Sequence, residues 1–283
     1  MKKILTLIFT ILLILGGKCM AGAKPIVVLG AMNVEIAQLM NKLEKPKFAT
    51  TFGHKYATGK IDGYPVVVLQ TQMGLTNATS AATLAAERFK PLCVLGIGTA
   101  GAHVDTMKIY DIVLQEKICN TNCYDTEPRA RGEGSNDEDW NYHDLEIYQD
   151  GQWIRTRYVP ADVKMLALAQ KVAYPHGKVY VGIGNSGDVW NRECDYIDYL
   201  HKEMGTICED MESYGVASVC LKYGIPFLGV RVICNNELVE QTANSVRGGG
   251  MDWGEEDFYF KSSKYCQDYA YDVIKKIVQE QRK

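Results

Sequence analysis

From Pro25 onward, short apolar runs rich in β-branched residues alternate with stretches of helical periodicity, and the connections between them are short. This alternation constrains the chain more than any other feature, because strands separated by helices pack as a sheet with its faces covered. Residues 26–30 read as the first strand, and over 33–43 Val34, Ile36, Leu39, Met40 and Leu43 share one helical face. Residues 56–69 hold two strands hinged at the turn dipeptide Asp62-Gly63. Residues 77–89 are alanine-rich and helix-favouring, with Pro91 just past their end. Further strands are expected at 92–97, 109–115 and 178–183, and helices at 162–173 and 195–203. A helix over 211–223 stops at Gly224; a strand over 227–233 and a long amphipathic helix over 255–281 complete the chain. No internal repeat or linker intervenes, so the expected fold class is α/β: a single domain with a central, mostly parallel or mixed twisted sheet flanked by helices. A polar insertion at about 125–152 breaks the rhythm and reads as a surface loop or lid.

The first residues have a different character. Met1-Lys2-Lys3, an apolar stretch over 4–15 and the small residues Ala21-Gly22-Ala23 follow the order of a secretory signal peptide. The apolar run falls short of the ~20 residues that a spanning helix needs. We therefore expect a signal peptide over 1–23, a domain over 24–283, and an exported product, periplasmic or secreted, with no stable membrane anchor after cleavage. Cleavage removes three lysines and no acid, taking the formal charge from −3 to −6, which offers nothing to a nucleic acid. It also removes one of the nine cysteines. Of the rest, Cys119 and Cys123 are the most plausible local disulfide in an exported protein, whereas Cys93, Cys220 and Cys234 sit in apolar runs and read as buried small hydrophobes. No Cys-x-x-Cys occurs and the histidines are scattered, so no metal site is expected.

Gly96-Ile97-Gly98-Thr99-Ala100-Gly101 matches G-x-G-x-x-G after a strand. A dinucleotide-binding unit needs a helix next, with its N-terminus on the pyrophosphate. Here the chain runs through residues 102–106 into another strand, so the glycines are expected to let a ligand approach the backbone at a strand end.

Six local patterns occur in order: Gly30-Ala31-Met32-x-x-Glu35; Met73-Gly74 before the alanine-rich helix; Gly98-Thr99-Ala100-Gly101; Ser186-Gly187-Asp188-Val189-Trp190; Glu209-Asp210-Met211-Glu212-Ser213; and Val230-Arg231-Val232-Ile233. Together they resemble the nucleoside phosphorylase superfamily, closest to its methylthioadenosine/S-adenosylhomocysteine nucleosidase branch, over about 26–280. The resemblance implies N-glycosidic bond cleavage through a cationic, oxocarbenium-like ribose. It implies that Glu212 accepts hydrogen bonds from the ribose hydroxyls, with Met211 against the sugar. Glu35 would orient and deprotonate the attacking water, with Arg231 beside both. Trp190 would stack on the purine. Met73, Gly74, Thr99, Ala100, Gly101 and Asp188 complete the expected substrate-binding set. The implied partner is a small-molecule purine nucleoside. No metal or organic cofactor is called for, and the family's habit is a homo-oligomer, dimer or larger.

Two departures shape the expectation. Phosphorylases of the bacterial purine type carry arginines at places matching residues 32–35 and Gly96, where this chain has no cation, so hydrolysis is favoured over phosphorolysis. The nucleosidases' proton-donating aspartate aligns with Asn235, and an amide cannot serve as a general acid. An asparagine there fits a 6-oxopurine preference; methylthioadenosine or S-adenosylhomocysteine remains a substrate option. Asn236 and Glu237 adjoin the position, so a one-residue shift could bring in a carboxylate. The alternatives are a phosphorylase and a non-catalytic nucleoside-binding or storage protein on the same fold.

Overall fold

The computed structural model describes residues 22–136, 139–149, 151–239 and 258–283. The expected signal peptide therefore lies almost wholly outside the described residues, as do residues 255–257 of the expected last helix. The elements in order are β1 (Ile26–Gly30), α1 (Asn33–Lys42), β2 (Glu44–Thr51), β3 (His54–Ile61), β4 (Tyr64–Gln70), α2 (Leu75–Phe89), β5 (Cys93–Ala102) and β6 (Ile112–Asn120). Four short strands, β7 (Tyr124–Asp125), β8 (Asn141–Tyr142), β9 (Leu145–Gln149) and β10 (Gln152–Thr156), precede β11 (Val159–Pro160) and α3 (Val163–Ala169). The chain closes with β12 (Val179–Ser186), α4 (Cys194–Met204), β13 (Thr206–Asp210), α5 (Ser213–Tyr223), β14 (Phe227–Asn235) and α6 (Phe258–Gln281).

The main sheet is mixed. β1 runs parallel to both β4 and β5, and β2, β3 and β4 continue it as an antiparallel meander. On the other side the sheet closes on itself: β5 pairs with β14, β14 with β6, β6 with β12, β12 with β13, and β13 back with β5. The ring needs room inside, and glycine provides it. A Cβ at Gly184 or Gly229 would come within 2.1 or 1.9 Å of the Gln115 side chain, so these two positions vacate the space that a buried glutamine occupies.

One sheet face is covered by α1, α3 and α6 through Ile36, Leu39, Met165, Tyr269, Ile274 and their neighbours. The other is covered by α2 and α5. The alanines of α2 allow close packing: a side chain at Gly215 would collide with Thr79 Oγ1 and the Leu75 carbonyl at 2.8 and 2.9 Å. Helix α6 is strapped to α1 by buried Gln267, which donates to the Val34 carbonyl at 2.9 Å and accepts from the Leu39 N–H at 3.0 Å.

The expected α/β architecture is observed, with differences of detail. Three strands of the main sheet escaped the sequence reading: β2, β13 and the two-residue β11. β2 is almost wholly exposed and has no apolar run, while β13 is only five residues long and carries two acids. Met211 and Glu212 precede α5 instead of opening it, because β13 extends to Asp210. The stretch read as a polar loop forms the hairpins β7–β8 and β9–β10, anchored where Tyr142 and Tyr196 hydroxyls meet at 2.6 Å. The expected Cys119–Cys123 bond is not formed: β6 turns Cys119 into the core, where its thiol donates to the Gly184 carbonyl, while Cys123 is exposed. Cys93 and Cys220 are buried as expected, and Cys234 is half-buried.

Candidate active site

Glu35 lies in the first turn of α1, where a carboxylate complements the N-terminal end of the helix dipole. Its Oε2 accepts from the N–H groups of Ala31 and Met32, both at 3.0 Å. Its Oε1 points across to β5, accepting from Thr99 N–H at 2.9 Å, Thr99 Oγ1 at 3.0 Å and the Tyr259 hydroxyl at 3.2 Å. The contact depends on Gly98, where a Cβ would come within 2.9 Å of Glu35 Oε1 and 2.5 Å of the Arg231 guanidinium. The glycine-rich stretch is thus continuous strand with side chains brought against its backbone, and no helix follows it.

Arg231 is 2% exposed. Such burial is tolerable only with partners. Nε donates to Ser213 Oγ at 3.0 Å and lies 3.3 Å from Asp210 Oδ2, and the same guanidinium reaches Glu212 Oε2 at 3.3 Å and the Thr99 carbonyl at 3.4 Å. Asp210 organises the turn into α5. Its Oδ1 accepts from Glu212 N–H, Ser213 N–H and Ser186 Oγ at 2.7–2.8 Å, an aspartate turn that satisfies N–H groups at the helix start. Its Oδ2 accepts from Gln115 at 2.8 Å. Burial alone would raise the Asp210 carboxyl, but Arg231 and these donors outweigh it and hold it below the usual range.

With Asp210 capping the helix, the Glu212 side chain is left to face the site. Oε1 accepts from Gly74 N–H at 3.2 Å and Oε2 from Arg231. Burial pushes Glu212 up to about 7; Arg231 opposes the rise, and Asp210 and Glu35 add to it. Asp188 meets the same loop, its Oδ1 accepting from Leu75 N–H at 2.6 Å. It caps α2, whose own N-terminal residue Gly74 has no side chain to do so.

The strand registers extend the site in one direction. Arg231 pairs with Gly98 and Asn235 with Gly101 between β14 and β5, while Glu209 pairs with Gly101 from β13. Asn235 and Glu209 therefore flank a glycine in one cross-strand row; a Cβ at Gly101 would lie 3.0 Å from Asn235 Nδ2 and 3.5 Å from Glu209 Cγ. Asn235 Nδ2 is 3.5 Å from Glu237 Oε1, and its Oδ1 accepts from the Cys234 thiol. Glu209 anchors the loop after β12: its two oxygens accept from Asn191 N–H at 2.9 Å and Asn191 Nδ2 at 2.5 Å, and His103 Nε2 lies 3.2 Å away.

Of the residues singled out in the sequence, Glu35, Thr99, Arg231, Glu212 and Gly74 form one bonded network, and Asp188 joins it at the α2 cap. Ala100, Gly101 and Asn235 continue it along the strands. Met211 is half-buried beside Glu212. Met73 and Trp190 adjoin the network in sequence and remain 53% and 47% exposed, Trp190 with the Arg192 guanidinium 5.8 Å from its ring. The sequence reading did not select Asp210, Ser213, Gln115, Glu209 or Tyr259 as site residues. An aspartate three residues before a helix start was the available signal for Asp210; Gln115 and Tyr259 are brought in only by the fold. Among the described residues no three His, Cys, Asp or Glu side chains cluster to hold a metal ion.

The family model described as the phosphorylase superfamily matches residues 25–264. A 5'-methylthioadenosine/S-adenosylhomocysteine nucleosidase of Geobacillus thermodenitrificans is 25% identical over 210 residues, covering 73% of this chain and 81% of the relative. The solved Neisseria meningitidis 5'-methylthioadenosine/S-adenosylhomocysteine nucleosidase, in complex with methylthio-immucillin-A, superposes with a TM-score of 0.70 at 20% identity, over 89% of this chain and 99% of that one. Futalosine hydrolase of Helicobacter pylori superposes with a TM-score of 0.68 at 21% identity, over 89% and 97%.

Proposed function

The chain belongs to the phosphorylase superfamily, and within it we propose that this protein is a purine nucleosidase, hydrolysing the N-glycosidic bond of purine ribonucleosides to free base and ribose. One observation carries the reading. Three buried carboxyl groups, Glu35, Asp210 and Glu212, surround a single buried guanidinium, Arg231. An excess of acid over base suits a ribose that becomes cationic as its bond to the base breaks. It is a poor cradle for phosphate, an anion that calls for several cationic or N–H donors. Glu35 is then the group that takes the proton of the attacking water, and Glu212 the acceptor for the ribose hydroxyls. Arg231 holds Glu212 in place. The likeness to methylthioadenosine/S-adenosylhomocysteine nucleosidases supports the same reaction class.

Asn235 supports a preference for 6-oxopurines, because its amide can donate to the purine edge where an acid is absent. The basic–apolar–small order of residues 1–23 supports export, and the family resemblance supports a homo-oligomer. The test is to incubate the protein with inosine, guanosine, adenosine and methylthioadenosine, with and without phosphate, and follow free base. Release without phosphate, greatest from inosine or guanosine, is expected. Strict phosphate dependence would establish the phosphorylase instead, and binding without turnover the storage reading.

A further inference from the structure

A purine departs as an anion unless it is protonated, so N-glycoside cleavage calls for a general acid at the base end of the site. Asn235 occupies that end and has no proton to give in this sense. Two nearby carboxyl groups, Glu209 and Glu237, could substitute. Asn236 is excluded: its Nδ2 donates to the carbonyls of Val104 and Met107, both at 3.0 Å, and its Oδ1 accepts from Leu238 N–H, so it braces the turn and does not face Asn235's position. Glu209 is adjacent, but each of its oxygens already accepts an N–H from Asn191, and His103 meets one of them as well. These three donors hold its carboxylate to the loop after β12 and to His103.

Glu237 differs. It is 7% exposed, and its Oε1 lies 3.5 Å from Asn235 Nδ2 and 3.7 Å from Arg192 Nε, both longer than close hydrogen bonds. Its backbone carbonyl accepts from the Cys194 thiol at 3.3 Å, which ties it to the start of α4, just past the loop that carries Trp190. Glu237 therefore sits between Asn235 and the start of α4.

We infer that Glu237 is the general acid of this enzyme, replacing the acid missing at position 235. The inference rests on the nucleosidase reading above. In the step, the C1'–N9 bond breaks with its electron pair passing to the purine, and the Glu237 carboxyl proton moves to a ring nitrogen of the base. Water bonds to C1' and gives its proton to Glu35. The Glu237 carboxylate left behind is met by Arg192 and the Asn235 amide, and solvent exchange restores both carboxyl groups.

The test compares two leaving groups. 4-Nitrophenyl β-D-ribofuranoside releases a stable phenolate that needs no proton; inosine does not. Glu237→Gln should lower turnover of inosine by ~10²–10⁴-fold and that of the nitrophenyl riboside by no more than about 3-fold. Glu237→Asp, which keeps a shortened carboxyl, should fall between. Adding Asn235→Asp to Glu237→Gln should recover inosine turnover at least about 10-fold. Equal losses on both substrates, or no loss on inosine, would overturn the assignment. No turnover of either substrate by the unaltered protein would overturn the nucleosidase reading and this inference with it.

Discussion

Thr99 and Glu35 are joined twice, backbone N–H to Oε1 at 2.9 Å and side-chain hydroxyl to the same oxygen at 3.0 Å, although 64 residues separate them. With Ala31 and Met32 donating to Oε2, both carboxylate oxygens face N–H donors. Glu35→Gln must therefore turn an amide NH₂ toward one of those donor pairs. We expect a loss of ~1–3 kcal/mol in stability from the unsatisfied buried groups, read from the urea midpoint. Turnover should fall by ~10²–10⁴-fold. A variant as stable and active as the parent would remove Glu35 from both roles.

Arg231 neutralises Asp210 and Glu212 in a site almost without solvent. Arg231→Met leaves both carboxyl groups without their cation, and we expect ~3–5 kcal/mol of destabilisation, the range for breaking one side of a buried pair. A shift below about 1 kcal/mol in a denaturant titration would show that the ion pairs are not what holds β14 to the α5 turn.

The raised Glu212 carboxyl makes a pH prediction. In the proposed reaction its ionised form is the one that accepts from the ribose and offsets the cationic sugar, so on that reading kcat/KM should climb with pH and level off above about 7. That limb should vanish in Glu212→Gln, which also loses rate. The same shift affects folding: a carboxyl raised from 4.5 to about 7 favours the folded state fully below the unfolded value and loses that contribution as pH rises through 7. Asp210 has the opposite sign, its contribution present at neutral pH and lost on acidification. Urea midpoints of the two Glu212 proteins across pH 4–8 would separate these terms, and parallel curves would refute the Glu212 contribution.

Asp188 was singled out as a substrate residue, and its carboxylate caps α2 through Leu75 N–H. Asp188→Ala should cost ~1 kcal/mol, as expected for a lost helix cap, with Asp188→Asn recovering much of it. Thermal melts of the two variants check this; equal melting of Asp188→Ala and the parent would show that the cap adds nothing.

Much of this was legible in the sequence because it depends on local pattern. Hydrophobic alternation located nearly all of the strands and helices that form the core, and the short motifs at their ends picked out Glu35, Thr99, Glu212 and Arg231, which the fold joins in one network, and Asn235, which continues it. β2 and β13 were not legible, since one is exposed and the other too short and acidic to show a period. The Cys119–Cys123 pairing failed for a related reason: spacing in sequence says nothing about which way a strand end turns each thiol.

The sequence by itself determined which side chains are available and on which elements they ride. The tertiary structure decided which of them meet. Pairing of β5 with β13 on one side and β14 on the other sets Glu209, Gly101 and Asn235 in a single row, and glycines at 98 and 101 let Arg231, Glu35 and Asn235 approach backbone that any other residue would shield. Register is a long-range property of paired backbones, fixed by hydrogen bonds between segments over a hundred residues apart. For that reason Glu237 read in the sequence as a neighbour of the aligned position, and only the folded chain shows Asn236 fastened into the turn and the Glu237 carboxylate brought back to Asn235.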